Sequence, residues 1–490
     1  MMTGQSHFIR NRWIEGSGFP FHSTDPATEE VTWEGKTATE SEVNTAVEAA
    51  AAAFEPWADL TVSERLTFLE SFGEMLSAHR ESLADAISQE TGKPKWESLS
   101  EVQLMIGKIA LSAKAFHDRR RIVTEDISGA AGITRYKPHG VVAVFGPFNL
   151  PGHLPNGHIM PALIAGNTVV LKPSRQAPLV AVRMMELWEA AGIPLGVVNM
   201  VQGGRETGGA LIQHPQVAGL FFTGSAETGK AIHKAWAGRP EKILALEMGG
   251  NNPLVVHEVS DVDTAAYLTM VSAFITAGQR CTCARRLIVP NGLEGDAFLA
   301  RMIEMTRRIR VGPYTDLPEP FMGPVISAEA ADKLLAAQAK LAAAGGRTLV
   351  EMTRVRSIKA LLSPGIIDVS PVRDREDEEL FGPLLQVIRV RDFGEALREA
   401  NNTAYGLAAA LLSDNKDLYE QFLRKVRAGV INWNQQTTGA SGKMPFGGVG
   451  ASGNHRPSGY FAADYCSYPV ASIETDRMKK RDRVLPGISI

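Results

Sequence analysis

Cys281 closes the run Thr276-Ala277-Gly278-Gln279-Arg280-Cys281, with Thr282-Cys283 directly behind it, and Glu247 opens Glu247-Met248-Gly249-Gly250 upstream. A thiolate is the strongest side-chain nucleophile near neutral pH, and a carboxylate can activate the water that releases a covalent intermediate. A thiol reached through small residues, with an acid among glycines, points to covalent catalysis. Gly278 allows close backbone approach, and Arg280 offers a cation to a thiolate. The plainer reading of Cys281 is a buried small hydrophobe, and that of Glu247 a solvated turn carboxylate. A Cys-x-Cys also suits metal, but no second Cys/His cluster accompanies it, so no metal site is expected. Asn149 follows Gly146-Pro147-Phe148. It is either a turn asparagine or an amide donor to an oxyanion.

These residues need elements to hold them. Val141–Phe145, Thr168–Leu171, Val197–Val201, Gly219–Phe222 and Ile243–Leu246 are short, continuous apolar runs with helix-length segments between them. Strands apolar on both faces, alternating with helices, imply a parallel sheet covered on both sides, with ligands at the strand C-terminal ends. The polar punctuation falls there: Asn149, Lys172-Pro173-Ser174, Gly203-Gly204, Thr223-Gly224-Ser225 and Glu247. Gly224-Ser225-Ala226-Glu227-Thr228-Gly229 follows one such strand and opens a helix, so its backbone N–H groups form a candidate phosphate cradle. Upstream, the pattern predicts helices over 41–54 and after the capping box Thr61-x-x-Glu64, with Leu66, Leu69, Phe72 and Leu76 on one face. Downstream, helices over 263–276, 294–309 and 327–344 alternate with strands over 285–289, 386–390 and 429–432, which reads as a second α/β domain.

The chain has 490 residues, 44% hydrophobic and 21% charged, which suits a soluble protein of two or three domains. A net charge of -3 argues against nucleic acid or a basic membrane surface as partner. No apolar run is long enough to span a membrane, and Met1–Arg12 lacks a signal-peptide core. Three cysteines make no disulfide framework and fit a reducing cytoplasm.

Seven ordered motifs carry a resemblance along nearly the whole chain: Gly146-Pro147-Phe148-Asn149, Leu171-Lys172-Pro173-Ser174, Phe222-Thr223-Gly224-Ser225, Leu246-Glu247-Met248-Gly249-Gly250, Gly278-Gln279-Arg280-Cys281, Glu379-Leu380-Phe381-Gly382-Pro383 and Pro445-Phe446-Gly447-Gly448. Together they resemble the aldehyde dehydrogenase superfamily. The resemblance implies Cys281 as nucleophile, Asn149 as oxyanion donor and Glu247 as general base. It implies a bound NAD, with Lys172, Ser174 and Arg175 toward the adenine ribose, Gly224 to Gly229 on the pyrophosphate, and Glu379 with Phe381 beside the nicotinamide ribose. Many NAD-preferring relatives carry a glutamate where this chain has Arg175. Losing that repulsion toward a 2′-phosphate implies some tolerance of NADP.

Further runs, among them Gly152-His153-Leu154-Pro155-Asn156-Gly157-His158 and Gly453-Asn454-His455-Arg456-Pro457-Ser458, narrow the resemblance to members acting on a semialdehyde with several carboxylates. Such a substrate needs cations. Arg280, Lys443 and Arg456 are the candidates, with Thr282 and Phe446 lining the pocket. Competing readings are another anionic semialdehyde, a different acceptor for the thioester, and a non-catalytic protein on the same scaffold.

The expected fold is α/β, with a Rossmann-like cofactor domain from 1–118 and 139–248 and a catalytic α/β domain from 249–464. A small β bridging element from 119–138 and 465–490 would join copies into a homodimer or homotetramer.

Overall fold

The computed structural model describes residues 6–478 and 485–488; the rest of the bridging segment expected over 465–490 lies outside them, as do the first residues of the cofactor domain. The apolar runs become one seven-stranded sheet, in the order Ile243–Met248, Val217–Gly224, Val141–Phe145, Thr168–Lys172, Val198–Met200, His7–Ile9 and Arg12–Ile14. The first five strands are parallel, and the last two form an antiparallel hairpin on the edge. Every residue of Val141–Phe145 is buried because helices cover both faces.

Glu40–Asp59 runs past the expected 41–54 because Trp57, 1% exposed, is drawn into the core, where its indole donates to the Leu163 carbonyl at 3.1 Å. Val62–Ala78 starts at the expected box: Thr61 Oγ1 accepts from the Glu64 amide at 3.2 Å, and Glu64 accepts from the Thr61 amide at 2.7 Å. Its Phe72 stacks on Trp188 with ring centroids 3.7 Å apart.

A second seven-stranded sheet follows, in the order Arg347–Val350, Gly365–Asp368, Leu384–Val390, Ala284–Pro290, Asn252–Val256, Ala408–Leu412 and Val430–Trp433. It is parallel except for its first strand. A third, three-stranded sheet pairs Val123–Ile127, Ala130–Pro138 and Ser467–Glu474 in antiparallel fashion. The helix Ala462–Tyr465 contributes Ala462 and Tyr465, followed by Cys466, to the core that also holds Phe8. A boundary at 464 therefore cuts through a helix that packs with the first sheet rather than the second.

Candidate active site

The helix Val262–Phe274 ends in a turn where Thr276, Ala277 and Gly278 are all left-handed, with φ of 56°, 51° and 69°. Only glycine adopts this conformation without strain, so the first two are held there by their surroundings. Gly278 is also required by space: a Cβ would lie 2.1 Å from the Gly382 carbonyl oxygen. The hold comes from Glu97, buried on the helix Lys95–Arg119. Its Oε1 accepts from Arg280 Nη2 at 2.7 Å and from the Thr276 hydroxyl, while Arg280 Nε donates to Thr276 Oγ1 at 2.7 Å.

Arg285, fully buried at the start of Ala284–Pro290, fixes the other side. It donates to the Gly278 carbonyl at 2.6 Å and the Arg280 carbonyl at 3.0 Å. Asn252 donates to the carbonyls of Cys281 at 2.7 Å and Cys283 at 2.9 Å. Cys281 is left partly exposed at the end of this loop, and Cys283 is buried. Although the residue is partly exposed, the protein packed round its sulfur strips water from the Cys281 thiol and pushes it well above the usual range; Glu247 and Glu379 add to that, and Arg285 opposes it. The cation acting on this thiol is thus Arg285, not Arg280, whose charge is engaged by Glu97.

Asn149 is carried past the end of Val141–Phe145 to the same loop, where its side-chain amide donates to the Gln279 carbonyl at 2.8 Å. Its own carbonyl accepts from Lys93 Nζ at 2.9 Å. Lys93 is ion-paired with Glu101, which accepts from the Gly152 and His153 amides at 2.9 and 3.1 Å. The turn bearing Asn149 is therefore clamped at both ends by buried charge.

Glu247 stands near the end of Ile243–Met248, 5% exposed, and neither carboxylate oxygen has a hydrogen-bond partner among the described residues. Burial holds its carboxyl well above the ordinary range; the amide and hydroxyl of Ser458 lie close enough to oppose this without bonding it. A Cβ at Gly447 would sit 2.9 Å from Glu247 Oε1, so the glycine keeps space beside the acid. A buried, unengaged carboxylate across from a thiol is equipped to take a proton.

The cofactor candidates line the same end of the first sheet. Lys172 Nζ donates to the carbonyls of Pro173 at 3.0 Å and Gly203 at 3.2 Å, and burial lowers it to about 8. Ser174 Oγ accepts from the Gln176 amide at 3.2 Å, and Arg175 is exposed, 5.7 Å from the Phe21 ring. Ser225 caps the helix Ala226–Ala235 by accepting from the Thr228 amide at 3.3 Å, leaving the Ala226 and Glu227 amides at the open first turn. Gly229 lets that helix close on Met248, whose Sδ a Cβ there would meet at 2.3 Å. Glu379 lies over Gly249 and accepts from the Gly250 amide at 3.1 Å, with Arg285 3.9 Å away. Phe381 meets Phe148 edge-on, with ring centroids 5.8 Å apart.

Among the substrate candidates, Thr282 is buried and Phe446 half-buried, opposite Ser458 in a short hairpin. Lys443 and Arg456 are exposed. Glu97, Lys93 and Glu101 stand in no motif, and Asn252 and Arg285 stand only within longer runs that carry the resemblance, with no role attached. The one local signal was the pair Arg285-Arg286 inside an otherwise apolar strand.

Residues 13–469 match the aldehyde dehydrogenase family. The chain is 53% identical over 485 residues to the N-succinylglutamate 5-semialdehyde dehydrogenase of Ectopseudomonas mendocina (strain ymp), covering 99% of this chain and 100% of that one. The protein of the same name from Pseudomonas fluorescens (strain Pf0-1) is 54% identical, with 99% of each chain covered. Among solved structures, a 1-pyrroline-5-carboxylate dehydrogenase from Thermus with bound NAD superposes with a TM-score of 0.89 at 30% identity, over 96% of this chain and 93% of that one.

Proposed function

From the premise that this chain belongs to the aldehyde dehydrogenase family, we infer that it oxidises N-succinyl-L-glutamate 5-semialdehyde to N-succinyl-L-glutamate with NAD. The reaction is a step of a succinylated route of arginine breakdown. The observation that carries the chemistry is the convergence of Asn149 on the Cys281 loop while Glu247 stays buried and unbonded. The substrate rests on the two full-length relatives above half identity.

Cys281 adds to the aldehyde carbon as its thiolate, the proton passing to solvent at its partly exposed side chain, and the Asn149 amide with the Cys281 N–H holds the oxyanion of the thiohemiacetal; one such donor is worth about 3 kcal/mol. A nicotinamide, when bound, supplies the hydride acceptor that converts this adduct to a thioester. The residues at the first sheet's C-terminal end suit such a group. The open first turn after Ser225 offers N–H groups to a pyrophosphate, and Glu379 over Gly249 offers a carboxylate to ribose hydroxyls. Glu247 takes a proton from the water that hydrolyses the thioester, which argues against coenzyme A as acceptor. Arg175, exposed and without an acidic partner among the described residues, lets NADP be used as well. A kcat/KM for NAD more than about a thousandfold above that for NADP would refute this tolerance.

We assign the three-stranded sheet to pairing between copies, as a homodimer or a homotetramer. The strand Val123–Ile127, each residue of which is exposed, and Ile473, 68% exposed, support this. Three free cysteines support a reducing cytoplasm, and no helix among the described residues is long and apolar enough to cross a membrane.

The deciding experiment compares initial rates of NADH formation on the succinylated semialdehyde and on glutamate semialdehyde without the succinyl group. Strong preference for the first is expected. Equal rates would transfer the activity to another anionic semialdehyde.

A further inference from the structure

The helices Lys95–Arg119 and His153–Ala165 pack so closely that a Cβ at Gly152 would lie 2.5 Å from Met105 Sδ. Between them sit polar groups that the protein does not satisfy. Lys108 is 5% exposed, donates only to the Gly459 carbonyl at 3.3 Å, and has no acidic partner among the described residues. Ser112, one turn on, is buried with its hydroxyl unpartnered. From the facing helix, Asn156 is fully buried with both amide atoms unpartnered, and the buried Nδ1 of His153 has no partner either. Buried polar groups are ordinarily bonded, and a lone buried charge is costly.

The neighbouring cations are neutralised: Lys93 by Glu101 and Arg280 by Glu97. Lys108 alone is not; the helix that carries it packs along His153–Ala165, and its charge acts on both His153 and His158. The cluster borders the reaction centre on two sides. Gly459 follows Ser458, which lies beside Glu247, and Arg280, which precedes Cys281, acts on His153.

We propose that Lys108, Asn156 and His153 form the subsite that grips a substrate carboxylate remote from the aldehyde. The proposal rests on the reading that Cys281 attacks an anionic semialdehyde. A carboxylate accepts from the ammonium, from the Asn156 amide, and from His153 as its Nδ1–H tautomer. Its charge offsets that of Lys108, a buried cation with no acidic partner among the described residues. Arg280, held by Glu97, steadies the nucleophile loop instead, while Lys443 and Arg456 remain at the surface.

The test measures KM and kcat for N-succinylglutamate 5-semialdehyde, glutamate semialdehyde and uncharged propanal in the wild type, Lys108→Met and Asn156→Asp. Lys108→Met removes the cation. Asn156→Asp is isosteric and sets a negative charge where the substrate's would lie, so it keeps the test open if Lys108→Met does not fold. The expected result is a KM raised about tenfold to a hundredfold for the two carboxylate-bearing aldehydes, with kcat/KM on propanal within about twofold of wild type. Equal losses on all three aldehydes, or no loss on any, would overturn the subsite. A wild type that does not prefer the succinylated substrate would sink the substrate assignment alone. The contrast between glutamate semialdehyde and propanal then still decides the subsite.

Discussion

At the scale of single residues, Glu247 bears two opposed demands. A base must be ionised, yet burial favours the protonated carboxyl. In the unfolded chain this acid titrates near 4.5, and in the fold it titrates well above that. Between the two values the folded state keeps a proton that the unfolded chain has shed. Rising pH through that window therefore costs stability while it switches the base on. Two outcomes follow for Glu247→Gln. Thermal unfolding at neutral pH moves upward, read by calorimetry. Turnover stops after a burst of about one NADH per site, read by stopped flow, because the thioester forms and is not hydrolysed. In the wild type, thioester release accelerates as pH rises. Cys281, Glu247 and Asn149 were legible because each stands among glycines or turn residues at a strand end or beside a loop. Arg285 and Glu97 were not. Nothing local in Trp96-Glu97-Ser98 reveals that this acid meets Arg280, which is distant in sequence.

At the scale of elements, the left-handed turn before Cys281 sets how precisely the thiol is presented. Gly278→Ala meets both an unfavourable φ and the Gly382 carbonyl. It is expected to destabilise the fold by about 1–3 kcal/mol and to remove most activity, seen in denaturant unfolding and steady-state rates. Glu97→Gln keeps the shape but releases one charged contact on Arg280 and Thr276. The expected fall in kcat is about tenfold with little change in KM, whereas a merely structural role would lower Tm and leave the kcat of the folded fraction intact. The central strands were readable since continuous apolar runs bounded by turn residues fit few other structures. The turn was not: Thr and Ala are disfavoured in the left-handed region, and only tertiary contacts keep Thr276 and Ala277 there.

At the scale of the whole molecule, the three-stranded sheet presents apolar side chains at both edges, with Ile127 44% and Ile473 68% exposed. Ile127→Lys with Ile473→Lys is expected to shift the protein toward monomer in sedimentation velocity while circular dichroism stays unchanged. An unchanged sedimentation coefficient would overturn the proposed role of this sheet in pairing copies. The two-sheet layout followed from the rhythm of strands, but the tail's return did not, since a short helix such as Ala462–Tyr465 leaves too little periodicity to show which core it joins. That return bears on how the protein is made. The core begun by Phe8 is closed by Ala462, Tyr465 and Cys466, which leave the ribosome after both large sheets have been synthesised. At about 5–20 residues per second, the first sheet waits roughly ten to forty seconds after its last strand before its seal arrives. During that interval its apolar flank is open to chaperones, and a message truncated shortly before codon 462 yields a chain that has the nucleophile and base yet cannot close the core beneath them.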